Sequence, residues 1–104
     1  MINFINLTPH TLNIHSGGNV TDIPPSGTIA RVQTSYEHVD TLGGIDIFDC
    51  VYGAIEGLPA PQTGNVFIVS GVVKSATSRE DLMSPGELIR DENGKPAGSK
   101  GLRR

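Results

Sequence analysis

Thr11-Leu12-Asn13-Ile14-His15-Ser16-Gly17-Gly18-Asn19-Val20-Thr21-Asp22-Ile23 is the stretch whose reading decides the fold class. Apolar and polar residues alternate through 11–15, the two-residue period of a strand with one buried face. Ser16-Gly17-Gly18-Asn19 is a hairpin signal, because glycine accepts the positive φ of a tight turn, and 20–23 is the return strand.

The same pattern extends outward. Residues 2–7 alternate and are rich in Ile and Phe, and Thr8-Pro9-His10 turns the chain, since Pro9 sets its own φ and donates no hydrogen bond. Pro24-Pro25-Ser26-Gly27 ends pairing, and 28–36 (TIARVQTSY) alternates less cleanly, with Arg31 on it. Residues 38–44 are polar and contain glycine, which predicts a loop. Residues 45–52 carry apolar side chains on both faces, which predicts a central strand. Leu58-Pro59-Ala60-Pro61-Gln62-Thr63-Gly64 reads as a rigid crossing, and 65–69 as a short core strand. One short helix is predicted near 70–77, with Ser70 as its cap. In the C-terminal third, 87–90 and 95–98 flank Asp91-Glu92-Asn93-Gly94, whose Asn-Gly pair is a hairpin turn. The expected fold is mainly β, a small antiparallel barrel or sandwich of about seven short strands with one short helix. It forms a single domain over 1–104, with a loop-rich C-terminal segment at 78–104.

Composition narrows the function classes. The 104 residues are 37% apolar, with three Phe, two Tyr and no Trp. Such a thin core gains by burying a subunit interface, so a homo-oligomer is expected. A net charge of −3 argues against general nucleic-acid binding. The single cysteine, Cys50, excludes an internal disulfide; lying inside a predicted strand, it reads as a buried structural thiol. Val66-Phe67-Ile68-Val69 is the longest apolar run and is too short to cross a bilayer. Residues 1–6 lack a positive n-region, so no signal peptide is expected and the predicted location is the cytoplasm of the host cell.

Charge is unevenly spread. Residues 1–70 hold one basic residue, Arg31, against six acidic ones, whereas 71–104 hold seven basic and five acidic residues. Such asymmetry can mark a face for an anion. At the strand-to-helix junction, Ser70, Gly71 and Val72 offer a hydroxyl and unpartnered amides, an arrangement that suits an anion. Arg79 and Arg90 are near enough in sequence to be expected on the same anion, with Asp81 orienting one of them or accepting from a ribose hydroxyl, and His10 contributing from its turn. The plainer alternative has Ser70 simply capping a surface helix. No catalytic, metal or cofactor set is found. His10 and His15 fall on opposite strand faces, as do Asp46 and Asp49, and no serine has a nucleophile signature.

Asn6-Leu7-Thr8-Pro9-His10, Ile23-Pro24-Pro25-Ser26-Gly27 with Ala30-Arg31-Val32, Tyr52-Gly53-Ala54-Ile55-Glu56-Gly57-Leu58-Pro59-Ala60-Pro61, Phe67-Ile68-Val69-Ser70 and Arg79-Glu80-Asp81-Leu82 resemble motifs of a family of small uncharacterised proteins of tailed phages and prophages. The likeness continues through Ser84-Pro85-Gly86, Arg90-Asp91, Gly94 and Gly101-Leu102. It carries no activity, but implies a phage setting, where short accessory proteins often counter host defences. The expected function is therefore a counter-defence protein that captures an anionic small molecule, a nucleotide-type immune signal, without turning it over. Two other readings stand beside it: a direct inhibitor docking on a host defence protein through its acidic 40–49 region, and a small hydrolase or lyase using His10 with Asp81.

Overall fold

A computed structural model describes residues 2–104. It is mainly β, with eight strands and one short helix. In chain order these are β1 (Asn3–Asn6), β2 (Leu12–Ser16), β3 (Asn19–Ile23), β4 (Arg31–Leu42), β5 (Ile45–Glu56), β6 (Asn65–Ile68), α1 (Gly71–Ser75), β7 (Leu82–Arg90) and β8 (Pro96–Arg103). The hairpin read from residues 11–23 forms as expected. It runs from Leu12 opposite Ile23 to Ser16 opposite Asn19, with Gly17 and Gly18 turning at φ of 59° and 80°.

Six strands make one sheet in the order β1-β6-β7-β8-β2-β3. A bridge between Asn6 and Pro25, with the Ser26 amide donating to the Asn6 carbonyl at 3.0 Å, draws the two edges together. The sheet thereby curls into a half-barrel. Its pairing is mixed rather than purely antiparallel, since β1–β6, β6–β7 and β2–β8 run parallel. Parallel neighbours need a crossover; α1 supplies it between β6 and β7. Alternation encodes which face a side chain takes and not the direction of the neighbouring strand, so the sequence pattern was blind to this.

That alternation gives the sheet two apolar faces. Leu7, Ala30, Phe67, Val69, Val73 and Leu82 form the buried core, with Ile5, Val32, Ile55 and Leu58 packed against it. On the opposite face, Phe4, Ile14, Ile23, Val66, Met83 and Leu102 line an open trough. Next to the core, Asn6 is 1% exposed and its amide is fully bonded.

Four expectations are corrected. Residues 45–52 are not a central strand, and 38–44 are not simply a loop. β4 and β5 pair only with each other and project as a two-stranded arm around a turn at Gly43-Gly44. Cys50 lies on that arm and is exposed. The C-terminal segment is less loop-rich than expected, because β7 and β8 pair antiparallel around the Asp91–Gly94 turn within the main sheet.

Candidate ligand cleft

Three chain segments converge beside the core. The Thr8-Pro9 turn leaves β1, residues 29–32 lead into the arm, and Ser70 opens α1. Between them lies a shallow, mostly apolar cleft of about 380 Å³, walled by Leu7, Ile29, Val32 and Val72, with Thr8, Arg31 and Ser70 as its polar residues. Backbone bonds set this geometry: the Leu7 amide donates to Ile68 at 2.9 Å, and the Ala30 amide donates to Leu7 at 3.0 Å. The turn is held by Asn6, whose side-chain amide group donates to the carbonyls of His10 and Ile23 at 2.7 and 2.9 Å.

Ser70 has extended backbone at the start of α1, and its hydroxyl accepts from the Val73 amide at 3.4 Å. One of the amides at that junction is thus already engaged by the cap. Ser70 and Val72 line the cleft; Gly71 follows the cap without lining it. His10 is exposed just past Pro9, and its contribution to the turn is its carbonyl, not its ring.

Arg79 is committed elsewhere. Its Nε and Nη2 donate to the two Asp81 carboxylate oxygens at 2.9 and 2.5 Å, and its Nη1 donates to the Pro59 carbonyl at 2.8 Å. The guanidinium also lies over the Phe67 ring, 5.9 Å from its centroid. The paired hydrogen bonds hold the Asp81 carboxyl below the usual carboxylate range and push Arg79 up, against the opposing effect of burial. This clasp pins the Pro-rich crossing and the entry to β7 over the core. Arg79 also borders a separate polar depression with Lys74, Glu80 and Arg104.

Arg90 is the last residue of β7, and its Nη1 donates to the Gly94 carbonyl at 2.8 Å. The nine residues of β7 separate it from Arg79 by roughly 30 Å at strand rise. The two arginines therefore do not close on one anion, and Asp81 serves Arg79 alone. The arginine that lines the cleft with Ser70 is Arg31. Its guanidinium makes no ion pair among the described residues. Sequence distance hid that placement, although Arg31 stands out as the single basic residue in 1–70.

No family model matches the chain, and comparison with curated proteins and with solved structures likewise gives no match.

Proposed function

We propose that this chain captures an anionic small molecule of nucleotide type in the cleft between the Thr8-Pro9 turn, Arg31 and Ser70. The observation that carries the reading is that Arg31, which makes no ion pair among the described residues, lines a mostly apolar cleft with Ser70. A planar ring would lie on Leu7, Ile29, Val32 and Val72, while phosphate oxygens take the guanidinium fork and the Ser70 hydroxyl. No His, Cys, Asp or Glu lines the cleft, which supports capture over turnover. In a phage setting, such capture would withhold an immune signal from its receptor.

Calorimetry of the full chain against linear and cyclic nucleotides, with inorganic phosphate as control, tests this. A charge-assisted contact contributes about 1.5–3 kcal/mol, so Arg31→Ala should weaken binding at least tenfold, and Arg90→Ala should leave it unchanged. The captured nucleotide should be recovered intact after denaturation. Absence of binding across the panel, or recovery of an altered nucleotide, rejects the reading. The projecting β4–β5 arm favours a second reading, direct docking on a host defence protein; a single stoichiometric host partner, with no nucleotide bound, would select it.

A further inference from the structure

Strands β4 and β5 are each 12 residues long, about 40 Å at strand rise. Only the base of the arm, at Val32 and Ile55, reaches the core. Beyond it, Tyr36, Leu42, Ile45, Phe48 and Tyr52 are 73, 60, 67, 52 and 53% exposed. The cross-strand register sorts the arm into two faces. Tyr36, Phe48 and Tyr52 share one with Cys50 and His38, whose ring meets Phe48 edge-on at 5.5 Å. Leu42, Ile45, Ile47 and Val51 share the other with Glu37, Asp40 and Asp49. Glu37 sits directly opposite Asp49, a like-charge pairing that weakens a ladder.

A two-stranded ribbon without a third layer is marginal in water, and the shape of the chain says that a layer is missing. Its radius of gyration is 16.7 Å, against about 13 Å for a compact chain of this length. Its accessible surface is 7177 Å², against about 5,600 Å² for a folded monomer of its mass. The excess is about 1,500 Å² per chain; two copies covering it would bury roughly 3,000 Å², within the range of obligate homodimers.

We propose that the β4–β5 hairpin is an assembly arm and that its occupant is a second copy of this chain. Charge favours that occupant. Residues 31–56 carry five acidic side chains against Arg31, whereas the β7–β8 region of the same chain carries Arg90, Lys95, Lys100 and Arg103 against Glu87, Asp91 and Glu92. A strongly acidic arm and a sheet region with a small excess of cations on one molecule suit reciprocal, closed pairing between copies. The inference does not depend on what the cleft binds, and mass measurement without ligand tests it separately.

Light scattering and sedimentation of the full chain at micromolar concentration should return a multiple of the 11.0 kDa chain mass. The double variant Leu42→Ser with Ile45→Ser alters only exposed tip residues and should raise the dissociation constant at least tenfold with an unchanged circular dichroism spectrum. Hydrogen exchange on the unmutated protein gives a second readout: amides of 36–49 should be protected at high concentration and lose that protection on dilution. A wild-type monomer at 100 μM (well above ordinary assembly concentrations), or arm amides that exchange freely at every concentration, overturns the proposal. So does a monomer whose arm is protected only by a different protein.

Discussion

The Asn6 side-chain oxygen accepts from both the amide and the hydroxyl of Thr8, at 2.8 and 2.6 Å. With two donors on backbone carbonyls, the buried amide has all its capacity used. The Asn6–His10 segment is therefore a structural knot joining β1, the end of β3 and the lead into the arm. Asn6→Asp keeps the shape and replaces two donors with a charge facing the His10 and Ile23 carbonyls. It should destabilise the domain by about 3 kcal/mol or more. His10→Ala, which keeps the carbonyl, should stay within about 0.5 kcal/mol. Urea midpoints decide; equal effects from the two substitutions would refute the account.

The Arg79–Asp81 clasp makes stability acid-sensitive. The Asp81 carboxyl titrates below its ordinary value of 3.8, so its contribution is complete above that value and is lost as pH falls through the lowered one. Arg79 is shifted upward from an already high value and stays charged throughout this window. Asp81→Asn should therefore show a shallower acid limb in a pH series of unfolding midpoints. Arg79→Ala leaves the carboxylate and the Pro59 carbonyl without their donors and should cost about 2–3 kcal/mol at neutral pH. An acid limb unchanged in Asp81→Asn would remove the clasp from this role.

Gly57, where β5 returns to the body, has φ of 76°, and a Cβ there would lie 2.2 Å from the Ile29 carbonyl oxygen. Both the backbone angle and the close approach demand glycine. Gly57→Ala should cost more than about 3 kcal/mol, whereas Gly71→Ala, where a Cβ meets nothing within 4 Å, should be tolerated. Thermal melts of the two variants give the comparison. Similar melting temperatures would mean that the base of the arm yields more easily than its geometry implies.

Legibility followed the range of the forces involved. The β2–β3 register was readable because Gly17-Gly18 sets it locally, and the Ser70 cap because its hydroxyl serves an amide three residues on. Ile45, Ile47 and Phe48 misled: apolar residues on both faces are the pattern of a buried strand, whereas all three are exposed on the arm. Cys50 was misplaced with them. Ser70 and Val72 are near neighbours in sequence and line one cleft, while Arg31 reaches it through the fold. Arg79 and Arg90 looked like partners because eleven positions seem close in sequence, yet an extended strand turns that separation into its full length.

Glu37 and Asp49 face each other across the arm, and neither has an ion-pair partner among the described residues. Together with Asp40 they form an acidic patch beside Ile47 and Val51. Within a single chain, Glu37→Lys relieves the repulsion and gains roughly 0.2–1 kcal/mol in the ladder. Against a basic surface of a second copy, the same change places like charges together. Self-association should therefore weaken, by about tenfold near 0.1 M salt, even though the hairpin itself is improved. Screening provides the internal control. As the Debye length falls from about 10 Å at 0.1 M to about 3 Å at 1 M, the difference between wild type and Glu37→Lys should shrink. Sedimentation equilibrium at both salt concentrations reads this directly. A Glu37→Lys variant that associates more tightly than wild type would mean that the acidic face of the arm points to solvent in the assembly, leaving the aromatic face of Tyr36, Phe48 and Tyr52 as the contact.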